Sequence, residues 1–429
     1  MNKFNNKGVA LISIYLVITV LLIFSSAFFS LAINQNHISD IFKRRIKAFN
    51  LAEAGLDNTI VWLRSQPTPP TGNRTDPWGS IQNLGGGTYS VAITDLGVIG
   101  GSVNVRRYRV TSTGMYGSMN RVLVNYVQVD NYARYLWFTD REVFNGSNVW
   151  FWSQDRLNGP THTNGHFNIS GNPVFENEVR SVDDYIRFFN NGNNINLSQT
   201  TNLPYDIPDF QMGVQFGAEP TTMPKQALGL RAAAISGGLS LQGDTTIVLN
   251  NDGTMSVTNS KKKWNNYNMA IPGNGALFVN DGSLVISGVL NGKLTAGSSG
   301  DVIIRDNIVY ADDPRTNPNS DDIMGIISES DVIIDDGAPS NLEIDACVMG
   351  MNTSFMFENW WIGPPKGTLS VYGGIIQDER GPVGTFNGMT GQKVSGYSKN
   401  YLYDPRLLSS PPPYMPTTGD YVTLSWEEN

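Results

Sequence analysis

The chain has a single cysteine, three histidines and few charged residues among its 429 positions. One thiol, Cys347, cannot form an internal disulfide, so packing and hydrogen bonds must stabilise the fold. Charged residues make up 16% of the chain, and their formal sum is −8 at neutral pH. No basic domain is available to neutralise a phosphate backbone, which excludes nucleic acid as an expected partner.

Motifs of the common catalytic sites are also missing. The chain contains no P-loop, GxSxG or HExxH pattern. Asp335, Asp336, Asp345 and Arg305 could converge in a groove, as catalytic residues do in carbohydrate-cleaving β-helices, but their spacing does not require it. We therefore predict that the chain is not an enzyme and that it needs no cofactor.

The first long apolar run is the most informative feature that is present. About 25 residues from Val9 to Ile33 carry no charge; as a helix they would measure about 37 Å, enough to cross a bilayer. A cleavable secretory signal has a shorter apolar region, so we expect an anchor. Lys3 and Lys7 precede the run and favour a cytoplasmic N-terminus and an exported body, although the basic segment 43–47 follows closely.

The apolar pattern continues beyond this run at helical spacing, and no proline occurs before Pro67. The simplest prediction is one helix from Val9 to Arg64, about 80 Å long. Gly55 would be a weak point inside it. The residues that recur every three or four positions are Ile38, Phe42, Ile46, Phe49, Leu56, Ile60 and Leu63.

A family resemblance follows from these residues. The polar leader ending in Lys7-Gly8, the run "VALISIYLVITVLL" and the helix segment "AFNLAEAGLDNTI" resemble the class III signal and N-terminal helix of type IV pilin-like proteins. The similarity is greatest to PilX-type minor pilins and to K-type pseudopilins of type II secretion. In that family a prepilin peptidase cuts after the glycine, and the new N-terminus is methylated. The resemblance thus implies a cut between Gly8 and Val9.

The same resemblance implies that the helix first anchors the chain in the inner membrane and later packs against other pilin or pseudopilin subunits. The position that is usually glutamate in major pilins is Ser13, and its absence fits a minor or tip subunit. It also fits an anchored protein that never assembles. The helix residues that we assign to the membrane or the filament are Val9, Ser13, Leu16, Leu22, Phe28, Phe42, Phe49 and Glu53.

Beyond the helix the composition changes to that of a β protein. The chain has 44 glycines, many in Asn-Gly and Asp-Gly pairs that favour tight turns. Alternating residues predict a small antiparallel sheet up to about Asp130, with Tyr89, Val91 and Ile93 on one face of its first strand. Four segments are therefore expected: a leader (1–8), the long helix (9–66, with 9–33 in the membrane), a pilin-like sheet (67–130) and an exported body (131–429).

The body (131–429) is predicted to consist of short strands, and no segment of it gives a convincing helical pattern. Strand and turn alternate every eight to ten residues, which predicts a right-handed β-helix, a form of β-solenoid; a β-sandwich is the competing architecture. Two segments, "DRLNGPTHTNGHFNISGNPVFEN" (155–177) and "YLYDPRLLSSPPPYMPTTGDYVTLSWEE" (401–428), resemble an uncharacterised group of large bacterial pilin-like envelope proteins.

Two groups of residues are weak candidates for metal binding. His162 and His166 are four positions apart, but Asn164-Gly165 predicts a turn between them, so packing is the default interpretation. The segment "DDPRTNPNSDD" places Asn317, Asn319 and Asp321 like the first ligands of a calcium loop. It lacks the glycine and glutamate of that loop, so a solvated turn is the default.

Adjacent tryptophans are the remaining candidate for ligand binding. On a strand, Trp360 and Trp361 would face opposite ways, so that one packs in the core and the other could contact a surface carbohydrate or a protein. The predicted function is a minor pilin or pseudopilin-like subunit with a structural, assembly-initiating or adhesive role. The alternative is a permanently anchored β-helical envelope protein that binds or processes carbohydrate.

Overall fold

The computed structural model describes residues 6–66, 68–98, 105–190, 193–197, 208–387 and 390–428. The described chain is mainly β, with one long N-terminal α-helix and antiparallel sheets, as the sequence predicts. It divides into two compact units. The first unit contains Met1–Leu96, Tyr108–Val127 and Thr423–Asn429, and the second contains Gly97–Arg107 and Gln128–Val422.

Strands of very different lengths follow the N-terminal helix α1 (Asn6–Arg64). Up to residue 215 they are β1 (Arg74–Thr75), β2 (Gln82–Leu84), β3 (Gly87–Val98), β4 (Arg106–Tyr116), β5 (Met119–Asn131), β6 (Trp137–Arg141), β7 (Val143–Phe144), β8 (Ser147–Asn148), β9 (Phe151–Trp152), β10 (Arg156–Leu157), β11 (Thr161–Thr163), β12 (Asn168–Ser170), β13 (Val174–Phe175), β14 (Val179–Ser181), β15 (Ile186–Asn190), β16 (Asn193–Leu197), β17 (Asp209–Phe210) and β18 (Val214–Gln215).

Later strands are longer on average. They are β19 (Leu239–Gln242), β20 (Thr245–Leu249), β21 (Thr254–Asn259), β22 (Trp264–Ala270), β23 (Ala276–Asn280), β24 (Leu284–Leu290), β25 (Lys293–Ser298), β26 (Val302–Tyr310), β27 (Ile323–Ser328), β28 (Val332–Ile334), β29 (Leu342–Gly350), β30 (Phe355–Phe357), β31 (Pro365–Glu379), β32 (Gly384–Phe386), β33 (Lys393–Tyr403) and β34 (Thr417–Glu428). A second helix, α2, covers Leu228–Ile235, and two 3-10 turns cover Tyr132–Arg134 and Pro405–Leu408.

Helix α1 has two halves with different surroundings. From Ala10 to Asp40 its side chains are exposed. Its C-terminal half packs within the first unit through a face of mostly small residues. Leu56 and Leu63 of the predicted apolar face are buried there, whereas Ile38, Phe42 and Ile46 are exposed. The buried face consists of Ala48, Leu51, Ala52, Gly55, Leu56, Thr59 and Leu63.

Small residues are needed where α1 crosses β4. A Cβ atom added to Gly114 would lie 2.1 Å from the carbonyl oxygen of Ala48 and 2.4 Å from the amide nitrogen of Ala52. One added to Gly55 would lie 2.2 Å from Oγ of Ser112. At this crossing the helix backbone therefore approaches the sheet more closely than side chains of ordinary size would permit, which explains the small residues Ala48, Ala52 and Gly55 in the packed face.

The sheet of the first unit has the strand order β1, β3, β4, β5, β34, with β2 also paired to β3. Strands β1 and β2 are antiparallel to β3. Tyr89, Val91 and Ile93 of β3 are buried, as their alternation predicts. The C-terminal strand β34 lies beside β5 at the end of this order, although nearly 300 residues separate Asn125 from its hydrogen-bonded partner Thr423.

The second unit contains two series of strands that pair in parallel. One series of neighbours is β19, β23, β25, β27, β29, β31, β6, β11, β14 and β18. Another is β20, β24, β26, β28 and β30. The register of the first series aligns Leu277, Ala296, Ile326, Val348, Ile375 and Trp137 in the main hydrophobic core.

One helix in the second unit was not expected from the sequence. Helix α2 buries Leu230, Ala233 and Ala234 in a core cluster that also contains Phe278. The prediction of no helix after residue 131 is therefore wrong at this point. Eight residues give only about two turns, too few for a helical period to stand out from the surrounding strand pattern.

Candidate functional site

The exposed half of α1 is the first candidate for a functional surface. Among the described residues, α1 is the helix that is long and apolar enough to cross a membrane. The predicted residues Ser13, Leu16, Leu22 and Phe28 are all exposed on it. Gly8 and Val9 belong to the same helix, whereas the leader residues 1–5 lie outside the described residues.

Three further predicted helix residues lie closer to the sheet. Phe42 and Glu53 are exposed. Phe49 is half-buried and makes an edge-to-face contact with Trp426 of β34, with a distance of 6.2 Å between ring centroids. Because this contact lies within the first unit, Phe49 is involved in the packing of its own chain.

The two histidines of the first metal candidate lie in separate polar environments. His162 is buried on β11 and stacks on Phe138, and its Nε2 is 3.0 Å from Oδ1 of Asn164. Burial lowers the pKa of His162 to about 4. His166 Nδ1 is 2.8 Å from Oδ2 of Asp183. In the described part of the chain, no group of three His, Cys, Asp or Glu side chains could hold a metal ion.

The acidic segment forms a hydrogen-bonded turn. Asn317 donates to Oδ2 of Asp312 at 2.7 Å and accepts from the backbone of Asn319 at 3.1 Å. Asp321 is largely exposed and lies 3.7 Å from the Lys293 ammonium. The three predicted ligands therefore take part in turn and surface contacts with neighbouring residues.

The acidic residues considered for catalysis are divided between two places. Arg305 lies 3.3 Å from Asp335 on the surface. Asp345 is buried, accepts from Arg315 at 3.1 Å, and keeps one carboxylate oxygen without a hydrogen-bond partner. Burial raises the pKa of Asp345 to about 7. These residues contact different basic partners, so they do not form a single cluster.

The two adjacent tryptophans lie on a turn after β30. Trp361 is 56% exposed. Trp360 is half-buried, packs edge-to-face against Phe144, and lines a cavity of about 520 Å³ within the second unit. This volume is in the range of small-molecule sites. The contrast in burial between the two rings follows from the turn, which directs them to different surroundings.

Aromatic side chains from distant parts of the chain surround this cavity. They come from the segment 144–152, the turn at Trp360, and the strands β32 and β33. Six of them are Phe144, Trp150, Trp152, Trp360, Phe386 and Tyr401. We refer to this space as the aromatic cavity.

A buried ion pair lies at the lining of the aromatic cavity. Nη1 of Arg380 donates to Oε2 of Glu142 at 2.8 Å. Arg380 also donates to the carbonyl oxygens of Val149 and Trp150, and its guanidinium lies 3.7 Å from the centroid of the Phe151 ring. The charge of Arg380 is thus neutralised and most of its donors are already in use.

A second cation at the aromatic cavity is neutralised in the same way. Nζ of Lys399 donates to both carboxylate oxygens of Asp155, at 3.0 and 2.8 Å. Burial lowers the pKa of Lys399, and the neighbouring Asp155 opposes this change. Oδ2 of Asp155 also accepts from the backbone N–H of Trp152 at 2.9 Å. The cavity therefore contains two cations, each paired with its own carboxylate.

Several uncharged polar groups of the aromatic cavity, in contrast, have no hydrogen-bond partner among the described residues. Within the described residues, no chain atom forms a side-chain hydrogen bond with Ser147, Asn148 or Ser170, nor with the indole nitrogens of Trp152 and Trp360. These hydroxyl, amide and indole groups are available to a bound molecule. Together with the aromatic faces they can recognise a ligand that is apolar on one side and polar at its edge.

Sequence reasoning found one member of this site and missed the others. Trp360 stood out because of its neighbour Trp361. The segment "VWFWSQ" (149–154) also concentrates aromatic residues, and this signal could have been noticed. Nothing in the sequence indicates that it lies beside Arg380 and Lys399, because that proximity depends on strand pairing.

A family model and solved structures match this chain. A family described as a domain of unknown function, DUF4900, matches residues 104–183. This range contains strands β4 to β14, including the cavity residues Trp150 and Trp152. No curated protein matches the chain. Among solved structures, the competence-associated pilin ComZ from Thermus thermophilus is similar with a TM-score of 0.34 and 11% identity, over 90% of this chain and 97% of that one.

Proposed function

We propose that this chain is a minor subunit of a type IV pilus or of a type II secretion pseudopilus. One observation carries the proposal: a continuous helix of 59 residues has an exposed apolar half and a half that packs on an antiparallel sheet. A soluble monomer could not leave such a run of apolar side chains in water. Lipid or neighbouring helices must therefore cover it.

The same helix can serve both as an anchor and as an assembly element. In the precursor it would cross the inner membrane with the N-terminus in the cytoplasm and the body outside. In a filament, the helices of other subunits would replace the lipid around it, and packing between apolar surfaces would stabilise the assembly. The protein partners are then other pilin or pseudopilin subunits.

Processing by a prepilin peptidase is the chemical step of this proposal. Cleavage between Gly8 and Val9 would remove the leader, and methylation would cap the new N-terminal amine. Ser13 stands where a carboxylate could pair with such an amine, so this subunit would enter a filament without that ion pair. This difference favours a minor or tip position, at which assembly begins.

The body of the chain is proposed to be a β-helix. The two series of parallel strands support this architecture, because in-register parallel stacking of short strands is how a solenoid grows. A β-sandwich would instead pair most of its strands antiparallel. We retain the division into a leader, a helix (9–66), a pilin-like sheet (67–130) and a displayed body (131–429).

A second candidate is a permanently anchored envelope protein that binds carbohydrate. The aromatic cavity favours it, since aromatic rings and neutral polar groups suit sugars. We propose no enzymatic activity for either candidate. The two differ in whether the leader is removed and whether the chain enters a filament.

The N-terminal mass of the chain distinguishes these candidates. The full chain is expressed in a host with and without a prepilin peptidase, and the mature protein is analysed by intact mass and N-terminal sequencing. We expect a chain that begins at Val9 only when the peptidase is present. Substitution of the glycine, Gly8→Asp, should block the cut, while Asn5→Asp serves as the matched control. An intact leader with the peptidase present would reject the pilin pathway.

A further inference from the structure

We propose that the aromatic cavity of the second unit binds a neutral oligosaccharide. All residues that line the cavity belong to the second unit. The inference rests on the carbohydrate-binding candidate described above and does not depend on filament assembly. The ligand class is argued from three properties of the cavity: its charges, its polar groups and its aromatic rings.

The charges of the aromatic cavity exclude an acidic ligand. Arg380 and Glu142 form one pair and Lys399 and Asp155 another, and all four side chains are at least four-fifths buried. An anionic ligand would have to compete with a carboxylate that already accepts hydrogen bonds from each cation. Breaking such a buried pair leaves an uncompensated charge, which is strongly unfavourable.

The polar groups exclude a purely apolar ligand. Such a molecule would displace water from Ser147, Asn148, Ser170 and the indole N–H groups of Trp152 and Trp360 without offering them hydrogen bonds. A polar group that is buried without a hydrogen-bond partner weakens binding. A ligand that fills the cavity must therefore carry several neutral hydroxyl or amide groups.

A pyranose ring meets both conditions. Its C–H faces pack on aromatic rings, and its hydroxyl groups project from the edge, where they can donate to or accept from Asn148 and the serine hydroxyls. Trp152 and Trp360 are half-buried, so each presents part of its ring to the cavity. A cavity of about 520 Å³ has room for a short segment of a glycan.

Binding to defined oligosaccharides tests the inference. The full chain in detergent micelles is titrated calorimetrically with cellotetraose, maltotetraose, chitotetraose and a β-1,4-galactotetraose, and with tetragalacturonate as the charged comparison. We expect at least one neutral tetrasaccharide to bind and tetragalacturonate to bind at least tenfold more weakly. Absence of binding by all four neutral probes at millimolar concentration would overturn the inference, as would tighter binding of the charged probe.

Substitutions locate the binding in the cavity. Trp152→Ala and Trp360→Ala should each weaken the bound tetrasaccharide at least tenfold, and Asn148→Ala at least threefold. Trp361→Ala removes an adjacent exposed ring that does not line the cavity and should change the dissociation constant less than twofold. Circular dichroism checks that each variant is folded. Unchanged binding by Asn148→Ala and both cavity tryptophan variants would overturn the assignment. The peptidase experiment uses a different readout, so either proposal can fail alone.

Discussion

Nη1 of Arg380 lies 2.8 Å from Oε2 of Glu142, and 238 positions separate the two residues in the sequence. Both side chains are almost completely buried. Glu142 also accepts from Nε1 of Trp137 at 3.2 Å and from the hydroxyl of Thr139. This pair joins the segment after β6 to the end of β31, and it lies beside the aromatic cavity.

Glu142→Gln should destabilise the second unit by about 3–5 kcal/mol, because it leaves the guanidinium of Arg380 buried without a counter-charge. Urea denaturation followed by circular dichroism measures the change. The double variant Glu142→Gln/Arg380→Met should recover part of the loss. The control is Asp321→Asn, which removes a solvent-exposed pair with Lys293 and should cost less than about 1 kcal/mol. Equal effects of the two single substitutions would contradict the argument.

Gly114→Ala should destabilise the first unit, because the added Cβ would overlap backbone atoms of α1, which cannot rotate away. Overpacking of this kind costs about 1–3 kcal/mol. The control is Gly273→Ala, since a Cβ atom there meets no atom within 4 Å. Thermal unfolding of the two variants should therefore differ, and a Gly114→Ala protein as stable as the control would refute the close contact.

His162→Phe should make the second unit less sensitive to acid. The pKa of His162 falls from 6.5 in the unfolded chain to about 4 in the folded one because of burial, with smaller effects of Arg180 and Arg134. Between these values the unfolded state binds a proton that the folded state does not. Stability is therefore present above pH 6.5 and is lost as the pH falls towards 4, by roughly 3 kcal/mol.

Phenylalanine keeps the ring that stacks on Phe138 but cannot take up a proton. Denaturation midpoints of both proteins at pH 7 and at pH 4.5 provide the comparison. We expect a smaller loss for His162→Phe than for the unsubstituted chain. Parallel losses would mean that His162 does not contribute to the pH dependence.

Deletion of Thr423–Asn429 should expose one edge of β5, because β34 is its neighbour in the sheet. Amide hydrogen exchange should become faster at Val124 to Val127 and stay unchanged in β24, which belongs to the second unit. The deletion also removes Trp426 and therefore its contact with Phe49. Unaltered exchange in β5 would show that β34 is not required there.

Local patterns explain how much of this fold the sequence could predict. Helix α1 follows from an uninterrupted apolar run and the absence of proline before Pro67. The first sheet follows from alternation such as that of Tyr89, Val91 and Ile93. In each case the signal lies within one continuous segment and reflects the geometry of one element.

Relations between distant segments could not be predicted in this way. The packed face of α1 depends on how closely β4 approaches, and this distance depends on Gly114 of the strand together with Gly55 of the helix, two residues that are distant in the sequence. The position of β34 beside β5 has no local signature. The aromatic cavity is the extreme case, because Trp152, Trp360 and Lys399 become neighbours only after the strands have paired.

The pairing of β31 with β6 joins strands that are far apart in the sequence, and this separation affects the order of folding. If the chain crosses the membrane from its N-terminal end, β6 emerges long before β31, and the intervening strands must stack before β6 meets its parallel neighbour. Contacts of such high sequence separation form slowly. Until then β6 has a free edge of unpaired backbone N–H and C=O groups, so the segment from β6 to β18 has the longest interval in which it could pair with another chain.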